Sequence, residues 1–171
     1  MFLKILIKKQ EISPFERKVK IGLSIVNSVQ IIYEMGGVIM SLITWNDNFS
    51  VSIPQFDQEH QQLIAMINSL HEAMKQGTGK KAMGTLLDDL TNYASTHFSH
   101  EEQMMVQYSY PDFKKHKQSH VDFAQTIKEY RTLYENSSLS AGNLLNLLQS
   151  WLINHICDTD KQYTAFFKRI H

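Results

Sequence analysis

Cysteine is nearly missing from this chain. Cys157 stands alone among 171 residues, so no internal disulfide can form and nothing calls for an oxidising compartment. Proline and glycine are scarce too, at 3 and 7, which disfavours a loop-rich architecture and favours helices joined by short turns. There is no charge excess: 17 basic residues balance 17 acidic ones. That removes the broad basic surface used in nucleic-acid binding and any general pull towards an acidic membrane. Long apolar runs are also lacking. Phe2 to Ile7 is interrupted by Lys4, and Ile21 to Tyr33 contains Ser24, Asn27, Ser28 and Gln30. Neither reads as a membrane span or ends in a small-residue cleavage site, so a cytoplasmic chain without a membrane partner is expected.

What is present suits one domain. The chain is 43% hydrophobic and 20% charged, long enough for a single core and too short to expect two. Residues 1–39 differ from the rest, with Lys4, Lys8, Lys9, Arg17, Lys18 and Lys20 set against Glu11, Glu16 and Glu34. Gly36-Gly37-Val38-Ile39-Met40 is what a purine-rich ribosome-binding stretch ahead of a start codon encodes when translated. The expected division is an extension over 1–39, with a natural start at Met40, followed by one domain over 40–171.

From Gln58 onward apolar residues recur at helical spacing. One segment is expected from about Asp57, as N-cap, to Gln76, with His60, Leu63, Ile64, Ile67, His71 and Met74 facing inward. A second is expected over about Lys80 to Gln107, its face reading Met83, Leu86, Leu87, Leu90, Tyr93, Ala94, His97, Glu101 and Met104. A third runs from about Asp112 to Tyr134 through Phe113, His116, His120, Phe123, Ile127 and Tyr130. The fourth starts near Ser140, with Leu144, Leu148, Trp151, His155 and Thr159 beside Ile153, Ile156, Asp160, Tyr163 and Phe167. Short turns between long amphipathic helices make neighbours antiparallel, so the expected fold is all-α, an up-down-up-down four-helix bundle.

The inward faces carry the chemistry. His60, His97, Glu101, His116, His120, His155 and Asp160 all fall on them, and buried carboxylates or imidazoles are costly unless paired or bound to metal. A single histidine on an apolar face is ordinarily a hydrogen-bonded core residue, and Glu101 beside Glu102 would by itself read as a solvated face. Their convergence on four successive helices is what points to a metal site. His97/Glu101 and His116/His120 are spaced i, i+4 and share a face. His155 and Asp160 are spaced i, i+5, about 140° apart on an ideal α-helix. They are therefore expected to straddle two metals rather than point at one atom. Five imidazoles and two carboxylates suit iron, zinc, copper or manganese better than calcium or magnesium. Cys157 is expected to pack and not to ligate.

These motifs resemble the hemerythrin family. The resemblance is carried by Phe56-Asp57-Gln58-Glu59-His60-Gln61, His97-x-x-x-Glu101, His116-x-x-x-His120 after Tyr110-Pro111, and His155-x-x-x-x-Asp160. Ile43-Thr44-Trp45 and Trp151-Leu152 add to it. It covers about Met40 to His171. It implies two non-haem iron ions, bridged by an oxo or hydroxo group and by the carboxylates of Glu101 and Asp160. His116, His120 and His155 would hold one iron, and His60 and His97 the other. Three imidazoles and three bridges fill six positions, whereas two imidazoles and three bridges leave one open for dioxygen. The resemblance thus implies reversible oxygen binding for storage, or delivery to an oxygen-requiring enzyme, by a monomer that is not itself an enzyme. Trp151, Phe98, Leu152 and Ile156 would wall the site off from water, while His71, His100 and His171 have no ligand role. The competing readings are an oxygen or redox sensor, an iron- or zinc-handling protein, and a di-iron oxidase or peroxidase. The last type favours carboxylates and Glu-x-x-His motifs, which the ligand positions here lack.

Overall fold

The computed structural model describes residues 41–169. The extension over 1–39 and the expected start at Met40 lie outside the described residues. Among the described residues every regular element is helical: α1 (Pro54–Lys75), α2 (Gly79–Gln107), α3 (Phe113–Glu135), α4 (Ala141–Trp151), a π-helical stretch (Leu152–Thr159) and α5 (Asp160–Phe167). The last three are consecutive and form one rod. The result is the expected all-α bundle of four antiparallel rods, α1 packing on α2, α2 on α3, and α4 returning against α1 and α2. No helix among the described residues is long and apolar enough to cross a membrane.

Local sequence explains the ends. Pro54 opens α1, where its fixed φ suits the first turn and its missing N–H costs nothing. Asp57 is not the expected N-cap. The helix begins three residues earlier, and the Asp57 carboxylate accepts from Ser50 Oγ and Val51 N, both at 2.6 Å. In the first turn its charge still opposes the positive end of the helix. At the other end Gly77 takes a left-handed φ of 72°, and Thr78 N bonds back to Ala73 O at 2.8 Å, closing the helix in a Schellman turn. α4 starts on Ser140, whose hydroxyl accepts from Asn143 N at 3.1 Å.

The segment 41–53 straps across α1. Asn68 holds it with two hydrogen bonds, accepting from Ile43 N at 2.9 Å and donating to Ile43 O at 2.8 Å. Ile43, Phe49 and Val51 are buried. The core is divided. One apolar group contains Leu63, Phe98, Phe123 and Ile156, and a smaller one contains Val51, Phe56, Met105, Tyr110, Tyr163 and Phe167. Along each rod the polar candidates sit between members of the two groups: His60 between Phe56 and Leu63, Glu101 between Phe98 and Met105, Asp160 between Ile156 and Tyr163. The helix faces differ from expectation in small ways. Leu70 and Met105 are buried, whereas His71 and Met104 are only partly so.

Candidate metal centre

All of the expected candidates reach this polar layer and all are buried: His60, Glu101 and Asp160 at 0% exposure, and His97, His116, His120 and His155 at no more than 3%. Their donor atoms form two groups. Glu101, His116, His120 and His155 converge in one, and His60, His97 and Glu101 in the other. Glu101 belongs to both. Its Oε2 lies 3.1 Å from the Nε2 atoms of His116 and His120, and its Oε1 lies 3.6 Å from His97 Nε2. Asp160 spans the same gap. Its Oδ1 is 3.2 Å from His155 Nε2 and 3.7 Å from His116 Nε2, while its Oδ2 is 3.5 Å from His60 Nε2.

The expectation that His155 and Asp160 could not address one point rested on α-helical geometry, and the backbone overturns it. Residues 152–159 are π-helical, and Asp160 N–H bonds to His155 O, an i→i+5 bond. The wider turn brings residues five apart onto one face. Thr159 follows the same register, its hydroxyl donating to Asn154 O at 3.1 Å.

Outer partners fix the imidazoles. An ionised carboxylate can only accept, so an outward-facing ring nitrogen against one donates to it. His97 Nδ1 donates to Glu59 Oε2 at 2.7 Å, and His120 Nδ1 donates to Glu102 Oε1 at 3.2 Å. His155 Nδ1 faces Ser119 Oγ at 3.4 Å, and that hydroxyl is already donating to His116 O at 2.6 Å. In all three rings Nε2 is therefore the nitrogen turned inward: that of His97 has no hydrogen-bond partner, that of His120 lies 3.1 Å from Glu101 Oε2, and that of His155 lies 3.2 Å from Asp160 Oδ1. His120 and His155 bring theirs within 3.2 Å of each other. His60 Nε2, His97 Nε2 and both Asp160 oxygens are buried with no hydrogen-bond partner. Buried acceptor atoms converging with nothing to donate to them are what a cation satisfies, and nitrogen donors with two carboxylates are a set that suits iron, zinc, copper or manganese.

The electrostatics agree. Burial, aided by the charge of His97, pushes His60 down to about 4, so it is a neutral ligand-type imidazole at neutral pH. Burial likewise lowers His120 and His155. For Glu101, burial acts upward, but the His97 charge and hydrogen bonds from His116 and His120 outweigh it and hold the carboxyl well below its usual range. Asp160 has no such help. Burial, reinforced by the Glu101 charge, pushes it well above the carboxylate range. A bound cation favours the ionised form of both.

The sequence profile of the hemerythrin HHE cation binding domain matches residues 51–167. The chain belongs to the hemerythrin family. A bacteriohemerythrin of Stenotrophomonas maltophilia (strain R551-3) is 33% identical over 124 residues, covering 72% of this chain and 80% of that one. A myohemerythrin of Theromyzon tessulatum is 30% identical over 119 residues, covering 70% and 88%. A crystal structure of wild-type hemerythrin superposes with a TM-score of 0.66 at 28% identity, covering 73% of this chain and 97% of that one.

Within this hemerythrin fold, the rings packed on the three-histidine group are Phe98, stacked on His120 at 3.8 Å, and Trp151, stacked on His155 at 3.8 Å. Leu152 and Ile156 are buried in the same apolar group. On the two-histidine side His97 meets Tyr93 at 5.1 Å and Phe56 at 6.1 Å. The inward face contained Tyr93 and Tyr163, but nothing in their spacing marked them out from core. Tyr163 in fact donates to Glu101 Oε1 at 2.5 Å. Glu59 and Glu102 were hidden by being ordinary helix-surface acids. The signal that could have found them is their place beside ligand positions, Glu59 next to His60 and Glu102 next to Glu101. His100, given no ligand role, faces the other Glu59 oxygen at 2.6 Å.

Proposed function

We propose that this chain binds dioxygen reversibly at a non-haem di-iron centre, in the service of oxygen storage or delivery to an oxygen-requiring enzyme. The observation that carries the reading is the matched pair of spanning carboxylates: Glu101 and Asp160 each present one oxygen to each imidazole group. Two metals side by side would make use of such bridges, and one metal would not. His116, His120 and His155 would hold one iron, and His60 and His97 the other. When bound, the iron pair supplies the two electrons that reversible dioxygen uptake requires, and the half with one imidazole fewer is the one with room for a ligand.

The side chains supply everything else. Glu59, Glu102 and Ser119 fix the imidazole tautomers so that Nε2 faces inward. Tyr163 holds Glu101 in place through its hydroxyl. Phe98, Trp151, Leu152 and Ile156 wall off the centre with apolar surface on its three-histidine side and limit the entry of water and anions, which promote irreversible oxidation. No nucleophile with an adjacent base takes part, and a carrier needs none.

The test is to load the protein anaerobically with ferrous iron, count metals per chain, and cycle oxygen against argon while recording visible absorption. Two irons and a colour that appears with oxygen and bleaches under argon are expected. One metal per chain, or steady consumption of peroxide, would favour an iron- or zinc-handling protein or an oxidase. His60→Ala is expected to lose the two-histidine iron first and, with it, oxygen binding.

A further inference from the structure

Tyr93 lies one turn before His97 on α2, its ring stacked on that imidazole at 5.1 Å and 19°. The residue is 7% exposed, and its hydroxyl is buried with no hydrogen-bond partner. An unsatisfied buried hydroxyl is destabilising, and a structure that keeps one has a use for it or a partner to come. Tyr163, the neighbouring buried phenol, is already committed to Glu101. Tyr93 is not. Its ring and His97 also line a cleft between α1 and α2 of about 340 Å³, with Glu59, Asn92 and Thr96 on its walls. The cleft therefore reaches from the surface to the outer side of His97, next to the two-histidine half.

We propose that Tyr93 is the hydrogen-bond donor to a small electron-rich ligand taken up at the His60–His97 half, and that the α1/α2 cleft is the route by which such a ligand arrives. The inference rests on the di-iron reading for what makes that half a ligand site. The phenol is suited to the task because it stays protonated. A phenol keeps its proton at neutral pH. It can thus donate to an incoming acceptor atom without competing as an anion for the metal. A donor in that position favours ligands that carry negative charge on a terminal atom and retards their escape.

The probe is azide, added to the iron-loaded, oxidised protein. Tyr93→Phe keeps the ring and removes only the hydroxyl. It is expected to weaken azide binding by about tenfold, chiefly through faster release, and to diminish the change that deuterium oxide makes to the infrared stretch of bound azide. Asn92→Trp, which narrows the cleft from an exposed position, is expected to slow azide entry without changing the equilibrium affinity. The metal-free Tyr93→Phe protein is expected to melt at or above the parent. A lower melting point would show that the hydroxyl already has a protein partner and would overturn the proposal. Equal azide affinity in parent and Tyr93→Phe would overturn the donor role, and an unchanged entry rate in Asn92→Trp would overturn the route. A parent protein that takes up no iron, or loads iron but never binds azide, sinks the di-iron reading itself.

Discussion

Asp160 N–H bonds to the carbonyl of His155, and Asp160 Oδ1 lies 3.2 Å from His155 Nε2. One wide turn of backbone thus sets both donors on the same face. The extra residue in that turn is dispensable on geometric grounds. Removing the exposed Asp158 makes the pair i, i+4, about 40° apart on an ordinary α-helix. The deletion variant is expected to bind as many metals as the parent. A variant that folds by circular dichroism but loads fewer would show that the wide turn is needed for more than direction.

Asp160 places both carboxylate oxygens in a dry layer with no hydrogen bond. Asp160→Asn is expected to have opposite effects on the two forms of the protein. In the metal-free form it removes a buried carboxyl that has no hydrogen-bond support and whose ionisation burial penalises, and it should raise the melting temperature by a few degrees, corresponding to about 1–2 kcal/mol. In the loaded form it removes a bridge and should cost at least one metal per chain. Calorimetry with and without iron reads both effects, and a metal-free variant that melts lower would contradict the first.

The metal-free protein is expected to be acid-sensitive. His60 titrates near 6.5 when unfolded and near 4 when folded, so below 6.5 the unfolded chain takes up a proton that the folded chain refuses. Stability is then lost as pH falls from about 6.5 to about 4, by about 3 kcal/mol from this residue. His120 and His155, also lowered by burial, act in the same direction. Asp160 acts oppositely. Its raised folded value makes its contribution largest at low pH, and that contribution fades as pH rises through the folded value. Urea midpoints measured across this window should fall on acidification, and less steeply in His60→Leu.

Glu59 holds the imidazoles of His97 and His100 with its two oxygens, at 2.7 and 2.6 Å, and those bonds outweigh burial to keep its carboxyl below the usual range. Removing the acceptor frees the His97 ring to turn or change tautomer. Glu59→Leu is expected to weaken metal binding in the two-histidine half by about 10–100-fold. His100→Ala, which leaves the His97 bond intact, should change it less than threefold. Competition with a chelator distinguishes the two variants.

The bundle and its donor residues were legible in the sequence because both are written in side-chain spacing. His60, His97, Glu101, His116, His120, His155 and Asp160 interrupt apolar stripes of helical period, and all arrive in one layer. The π-helical turn was not legible. It is a change in backbone hydrogen-bond register, and the side chains of 152–159 are compatible with either kind of helix. Asp57 misled for a related reason: an acid near a helix start caps it or braces what precedes it, and only the position of Ser50 and Val51 decides. Glu59, Glu102 and Ser119 act through imidazole nitrogens that face away from the centre, so each looks like ordinary helix surface until the rods are packed.

The donor layer has a mechanical consequence. It lies like a floor between two storeys of the core, the larger around Leu63 and Phe123, the smaller around Phe56 and Phe167. Oil does not cross the floor; only imidazoles and carboxylates do. With metal in place every rod is bolted to the others at one level, and both storeys must come apart together. Stripped of metal, the floor becomes a seam, and the smaller storey can fray while the larger one stands. The cooperativity of unfolding, and not only its temperature, is therefore expected to follow metal content.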